Sequence, residues 1–302
     1  MRVGAIGLGN IGGAIAANLI EDGHAVAVFD LAPERARALA ERGASAAADP
    51  AAVARASEVT FLSLPTPEAV ASVAEAWLAG APAGSVLVDL STNSPAAVRA
   101  LGARLAGSGA SLLEAPLTGG APGARARQLV FLLGGEPAVV ERCRPLLERL
   151  GRAVFHFGPL GAGNTAKLVN SLLAFTSTWV SLEGLSLAAR SGLDLRTLVE
   201  AVRTGGASNF FIDRMVEAIG QRGRPANFSL ALAAKDAGLI EAAMAEQGVP
   251  APVAAAMAGV FRAAVAGGLG DRDWSDLVEH AEREAGQKLE LRPKPAAEPR
   301  PA

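Results

Sequence analysis

The stretch MRVGAIGLGNIGGAIAANLIEDGHAVAVFD, residues 1–30, decides the fold. An apolar run at 2–6 is followed by Gly7-x-Gly9-x-x-Gly12, which opens a helical pattern. A second apolar run at 25–29 then ends in Asp30, 18 residues past Gly12. The glycine triplet alone is a weak signal. Set between a strand and a helix, with an acid closing the next strand, it is the dinucleotide-binding fingerprint. Gly7 permits the tight turn, Gly9 lets the backbone approach a pyrophosphate, and Gly12 allows close packing of helix on strand. The phosphate charge sits at the helix N-terminus, so Gly7, Leu8, Gly9, Asn10, Ile11 and Gly12 form the expected phosphate loop. Asp30 is placed to bond both ribose hydroxyls and to repel a 2′-phosphate. Leu31 and Ala32 follow it, with no Arg, which favours NAD over NADP. Arg35 and Arg37 on the next helix keep NADP open.

Outward from this unit, short apolar runs keep alternating with Ala/Arg/Glu-rich helical stretches. Strands are expected at 59–64, 86–89, 112–115, 129–133 and 154–157, several apolar throughout, as strands buried on both faces are. The stretches 33–43 and 94–109 each end at Gly, as helices tend to. The pattern means an α/β fold, a Rossmann-type doubly wound parallel sheet, over 1–162. Beyond that the alternation stops. One long helix is expected at 164–190, closed by Ser191-Gly192, followed by helical segments near 194–203, 208–220, 228–247, 251–266 and 273–286. These make an all-α domain over 163–288, joined to the first by the long helix. The Pro-rich stretch 289–302 reads as a disordered tail. A length of 302 residues agrees with two domains.

Composition narrows the chemistry. A net charge of −2 argues against nucleic acid or an anionic membrane as partner. No apolar run reaches the roughly 18 residues of a spanning helix, and the N-terminus lacks signal-peptide character, so the cytoplasm is the expected location. Cys143 is the single cysteine, which excludes an internal disulfide and a multi-Cys zinc site. It falls in a helical pattern, where a buried structural thiol is expected. The chain has no Tyr, so a tyrosinate acid is excluded. His24, His156 and His280 have no metal-ligand spacing, and no metal is expected.

Lysine is scarce. Of 28 basic residues only Lys167, Lys235, Lys288 and Lys294 are lysine, and the last two lie at the tail. An ammonium can lose its proton near neutral pH when desolvated, whereas a guanidinium effectively cannot. Lys167, in GAGNTAKLVN, is therefore the expected proton-transfer residue, and Lys235, in FSLALAAKD, an expected site contact. Lys167 is expected in the first turn of the long helix, whose positive end disfavours the ammonium and helps to lower its pKa. Asn170 and Ser171 follow on the same helix face.

Three strand ends complete the pattern: Phe61-Leu62-Ser63-Leu64-Pro65, Asp89-Leu90-Ser91-Thr92 and Glu114-Ala115-Pro116-Leu117-Thr118-Gly119-Gly120. Ligands of such sheets bind beyond the carboxyl ends of the strands, so all three are expected at one crevice. With GLGNIG and GAGNTAKLVN, this order resembles the β-hydroxyacid dehydrogenase family over about residues 1–286. The resemblance implies an NAD(P)-dependent oxidoreductase that moves a hydride between the cofactor and a small β-hydroxy acid or its semialdehyde. It implies that Leu64, Pro65 and Thr92 line the nicotinamide end. Thr118, Gly119 and Gly120 would hold the substrate carboxylate, a role that suits two unobstructed backbone N–H groups beside a hydroxyl. It implies Lys167 as general acid/base, Asn170 and Ser171 beside the substrate, Lys235 reaching the cofactor and Asp236 near the substrate. It also points to a homodimer or homotetramer formed through the apolar helical domain.

Three departures bear on the substrate. Ser171 stands where the family usually has Asn, Thr118 replaces the commoner Ser, and Arg127-Gln128-Leu129 replaces a Gly-Thr-Leu. Arg127 is expected either to face solvent or to meet a second anionic group. Two alternatives stay open: an imine reductase on the same scaffold, which typically lacks this lysine, and a non-catalytic nucleotide-binding module. A decarboxylating sugar-phosphate dehydrogenase would need a basic cluster for phosphate that the helical domain lacks.

Overall fold

The computed structural model describes residues 1–291. Strand β1 (Arg2–Ile6) leads through α1 (Gly12–Glu21) to β2 (Ala25–Phe29), which pairs with it in parallel. The next helices share a starting device. Asp49, Thr66 and Ser94 cap α3 (Pro50–Ala56), α4 (Pro67–Leu78) and α5 (Pro95–Ala106), each accepting from the N–H three residues on. Proline follows each cap, where a missing N–H costs nothing. Helix α2 (Pro33–Ala40) also begins at proline.

With β3 (Ser45–Ala46), β4 (Val59–Leu62), β5 (Val86–Asp89) and β6 (Ser111–Glu114), these strands form a parallel sheet in the order β3-β2-β1-β4-β5-β6. The strand order reverses between β1 and β4, the topological switch point where such sheets bind ligands. Successive side chains alternate faces. Val3, Ala5, Phe61 and Val88 pack with Ile15 and Leu19 on one side. Ile6, Leu62 and Leu87 pack with Val70, Trp77, Val98 and Leu105 on the other. The Trp77 indole N–H donates to the Thr60 hydroxyl at 3.0 Å on that face.

One expectation is corrected here. The strands after β6 do not extend the main sheet. β7 (Leu117–Thr118), β8 (Leu129–Leu133) and β9 (Gly151–His156) form a separate three-stranded sheet, antiparallel between β7 and β8 and parallel between β8 and β9. Only Ala115 and Pro116 separate β6 from β7, far fewer than a parallel crossover needs, so the chain turns instead. Helices α6 (Gly120–Arg125) and α7 (Pro137–Leu150) connect the small sheet, and Cys143 on α7 is buried as expected.

The remaining elements are helical: α8 (Ala162–Arg190), α9 (Leu195–Thr204), α10 (Phe210–Gly220), α11 (Leu230–Glu246), α12 (Pro252–Ala264) with a π turn at Val265–Leu269, a 3-10 turn at Trp274–Asp276, and α13 (Leu277–Ala285). Contacts divide the chain into two units, Met1–Ser171 with Gly238–Pro250, and Leu172–Ala237 with the chain from Ala251. The division falls inside α8, past the expected boundary at 162, because the start of α8 bonds to the sheet's loops. The end of α11 also joins the first unit, through an Arg99–Glu246 ion pair of 3.2 Å.

The second unit has its own core. Phe175 lies 4.9 Å from Phe261 between ring centroids and stacks on Phe228, with Met215 and Met257 buried. Buried Leu289 donates its N–H to Glu282, so ordered chain continues past the expected end at 288; the rest of the expected tail, from 292, lies outside the described residues. Two helices, Ala162–Arg190 and Pro252–Leu269, meet the length and hydropathy of a membrane span, contrary to the sequence reading. Each has a buried face in its folded unit, through Leu182 and Leu185 and through Met257 and Phe261.

Candidate active site

The loop after β1 is shaped by steric necessity. Gly7 has φ +82°, and a Cβ there would stand 2.2 Å from the Ser63 carbonyl oxygen. A Cβ on Gly12 would stand 1.9 Å from the Gly7 carbonyl oxygen, so helix and loop meet only because both are glycine. Gly9 is exposed and a Cβ there would meet nothing within 4 Å, which leaves the backbone open to an approaching pyrophosphate. Asn10 is exposed beside it and Ile11 half-buried. A cavity of about 320 Å³ opens next to this loop, lined by Gly9, Asn10, Gly13, Arg42 and Arg125 among others.

Asp30 accepts from the Leu8 N–H at 2.6 Å and the Ala32 N–H at 2.8 Å, and Arg35 lies 3.5 Å from it. The carboxylate thus ties the end of β2 to the glycine loop. A turn, an open backbone approach and an acid at the ribose position fit a dinucleotide.

Hydrogen bonds then run along the carboxyl ends of the strands. The Leu64 N–H donates to the Ser91 hydroxyl at 3.0 Å, and the Ser91 N–H to Asp89 Oδ1 at 2.9 Å. The Asn93 N–H donates to Asn164 Oδ1 at 2.7 Å, which joins the loop after β5 to α8. Leu64 and Thr92 are half-buried and Pro65 is exposed along this ridge. Asp89 is buried, its Oδ2 has no hydrogen-bond partner, and it lies in register with Glu114 on the neighbouring strand. Burial pushes its carboxyl up to about 6, against the hydrogen bonds from Ser91.

Glu114 is buried at the end of β6 and accepts four hydrogen bonds: from the N–H groups of Gly161 (2.5 Å), Gly163 (3.0 Å) and Asn164 (3.0 Å), and from Asn164 Nδ2 (2.7 Å). It caps the N-terminus of α8. Lys167, half-buried, is the sixth residue of this helix and so falls in its second turn, not the first. The positive pole at this helix end meets the carboxylate of Glu114. Ser171, one turn on, is buried, while Asn170 is exposed.

Thr118 ends β7. Gly119 and Gly120 follow, both exposed with φ of +111° and +59°, at the start of α6. A Cβ on Gly120 would meet only Pro122 Cδ, at 3.8 Å, so this turn has free space above it. Arg127 takes neither expected role. Its guanidinium bonds Asp22 at 2.9 Å, Glu21 at 3.3 Å and the Asn18 carbonyl at 3.1 Å, and so holds the end of α1. Lys235 and Asp236 lie on α11 in the second unit, with Lys235 Nζ 2.7 Å from the buried Asp236 carboxylate.

Asn93, Asn164 and Glu114 were not anticipated as a junction. A signal for Glu114 is present in the sequence: a lone carboxylate follows the apolar pair Leu112-Leu113 at the strand end. A charge there needs donors. Nothing in the sequence said that the donors lie some fifty residues on.

Residues 2–158 match the family described as the NAD-binding domain of 6-phosphogluconate dehydrogenase. Residues 161–281 match the one described as the NAD-binding part of NADP-dependent 3-hydroxyisobutyrate dehydrogenase. The chain is 33% identical to a 2-(hydroxymethyl)glutarate dehydrogenase of Eubacterium barkeri, over 95% of this chain and 96% of that one. It is 30% identical to an NAD-dependent L-serine dehydrogenase of Pseudomonas aeruginosa, over 95% and 99%. Among solved structures, the 3-hydroxyisobutyrate dehydrogenase of Mycobacterium tuberculosis with L-serine superposes with a TM-score of 0.84 at 29% identity, covering 92% of this chain and 98% of that one. The loop, the strand order and these matches agree: the chain belongs to the β-hydroxyacid dehydrogenase family of NAD(P)-dependent oxidoreductases.

Proposed function

We propose that this enzyme oxidises the primary alcohol of a 2-substituted 3-hydroxypropanoate to the semialdehyde, with Lys167 as the general base. The compounds named for the three relatives support the class. 3-Hydroxyisobutyrate, L-serine and 2-(hydroxymethyl)glutarate share a hydroxymethyl group on the carbon that bears the carboxylate, and differ in the third substituent there. Bound nicotinamide supplies the hydride acceptor. The chain's own residues bind, orient and move the proton. Thr118, Gly119 and Gly120 offer a hydroxyl and backbone N–H groups to the carboxylate, the free space over Gly120 leaving room for it. Leu64, Pro65 and Thr92 lie on the ridge that continues from the glycine loop, as a surface for the nicotinamide end. Lys167 takes the hydroxyl proton as hydride leaves the same carbon, and returns it in reduction. Asp30 favours NAD, since a 2′-phosphate would meet its negative charge.

One observation carries the reading. Lys167 is the single lysine of the first unit, and its helix is pinned to the carboxyl ends of β5 and β6. An imine reductase reading gains nothing from this arrangement, because a lysine occupies the acid position and the chain has no Tyr. The test is a panel of the three acids with NAD and NADP, followed by reduced-nicotinamide absorbance, on wild type and Lys167→Ala. Lys167→Ala is expected to lose about 10²–10⁴-fold in kcat while NADH affinity stays within about threefold. Turnover retained in that variant overturns the role given to the lysine.

A further inference from the structure

We infer that Glu114 is a positioning residue for the reaction: its buried carboxylate, with Asn164, fixes the start of α8 and so sets Lys167 relative to the loop at Thr92. This rests on the proposed proton-transfer role of Lys167 and extends it to groups one turn away.

The geometry is over-determined for a cap alone. One side chain commonly satisfies one or two of the orphan N–H groups at a helix start. Glu114 takes three backbone N–H groups and the Asn164 amide, and has no exposure to water. Its backbone is fixed as well. The Glu114 N–H and carbonyl both pair with Gly134 at 3.1 Å, where the main sheet meets the small one. Gly134 and Gly163 are glycine for steric reasons. A Cβ on Gly134 would stand 1.9 Å from Glu114 Oε1, and one on Gly163 would stand 2.5 Å from the Leu132 carbonyl oxygen. Helix, strand end and carboxylate therefore have one arrangement available.

Asn164 carries the constraint to the cofactor side. Its Nδ2 donates to Glu114 and its Oδ1 accepts from the Asn93 N–H, next to Thr92. An amide has both a donor and an acceptor, so it can bridge the carboxylate to a backbone N–H where an acid or an alkyl group cannot. Hydride and proton leave adjacent atoms of one substrate. The separation between the nicotinamide ridge and the lysine is a rate-determining dimension, and misplacement by about 1 Å can cost about 10²-fold.

Charge gives the inference an independent reading. Lys167 lies three residues past Asn164, about 4.5 Å along the helix axis. At that end the Glu114 carboxylate meets the backbone N–H groups of the positive helix pole. Asp89 faces Glu114 from the neighbouring strand β5.

The test uses the full-length enzyme. With only four lysines, ¹³C-dimethylated amines resolve by NMR, and Lys167→Arg assigns the signal. Glu114→Gln keeps the shape and removes the charge. It is expected to move the Lys167 amine titration to lower pH. It is also expected to reduce kcat at least about tenfold on the fastest of 3-hydroxyisobutyrate, L-serine and 2-(hydroxymethyl)glutarate, with KM and NADH affinity within about threefold. Asn164→Ala keeps the charge and breaks the bridge, so kcat is expected to fall without the amine shift. Wild-type kcat in either variant overturns the inference. An unmoved amine in Glu114→Gln overturns the placement of that charge beside Lys167, whether or not any of these acids is turned over. Should Glu114→Gln fail to fold, Asn164→Ala decides alone. If Lys167→Ala retains turnover, the proton-transfer reading fails separately.

Discussion

Asp30 does two things at once. In the proposed reading it faces the cofactor ribose, and it holds the Leu8 and Ala32 N–H groups that shape the glycine loop. A truncation would confound the two. Asp30→Asn keeps an oxygen acceptor for the loop and removes the charge that repels a 2′-phosphate, while freeing Arg35 from its partner 3.5 Å away. The kcat/KM ratio of NADP to NAD is expected to rise at least about tenfold, a change of about 1.4 kcal/mol. An unchanged ratio, read from initial rates with each cofactor, means that the ribose is read elsewhere. Asp30 and Lys167 stand out in the sequence against their local pattern, an acid closing an apolar strand and a lysine in an Arg-rich chain, and the roles given to them are those proposed above. Glu114 closes an apolar strand too, but its partners come from a helix start far along the chain. Arg127 misled for a related reason. In a loop reading GARARQ nothing distinguishes it from its neighbours, and its salt bridge to Asp22 is made 105 residues away.

Helix α1 shows how such distant pairs hold an element in place. Asp22 is its C-terminal cap, where a carboxylate opposes the negative helix pole. Arg149 grips both its oxygens at 2.9 Å and Arg127 adds a third contact. Arg127 is also, among the described residues, the non-glycine residue with positive φ, at 56°, a conformation that side chains other than glycine adopt reluctantly. The Arg149 hydrogen bond, and after it Arg127, hold the Asp22 carboxyl well below the usual carboxylate range despite the opposing effect of burial. A depressed folded-state pKa contributes stability above the unfolded value and loses it as pH falls. Asp22→Asn is therefore expected to cost about 1–2 kcal/mol at neutral pH. The gap to wild type should narrow as pH drops below about 4. Urea midpoints of both proteins across that range check it, and a gap independent of pH would mean that the clamp is not electrostatic. The helix start at Ser94-Pro95 followed from the sequence because its cap is local. The two-residue strands β3 and β7 carry too few residues for any periodicity to be read.

At the scale of the molecule, α8 keeps an apolar face exposed among the described residues. Val169, Leu173, Val180 and Leu187 are each more than half exposed and recur at intervals of four, seven and seven, the repeat that aligns residues on one helix side. Between Lys167 and Arg190 the helix carries a single charge, Glu183. We propose that a second copy of the chain covers this stripe. A stripe of this period is complementary to itself about a two-fold axis. Light scattering on the wild type is expected to give a dimer or a multiple of it, and Leu173→Glu with Leu187→Glu to give a folded monomer. A wild type that is monomeric at micromolar concentration overturns this. By itself the sequence determined what depends on near neighbours: the glycine turn, the acid at the second strand end, the proline-led helices, the long helix and the lysine on it. The tertiary structure decided which residues meet across long separations. It split the last three strands into their own sheet, turned Arg127 back onto α1, and seated Glu114 under the helix that carries Lys167. Backbone propensity and capping act over a few residues and leave a local trace. A buried carboxylate and its donors are joined only by the packing of whole elements, and their separation along the chain carries no mark of the contact.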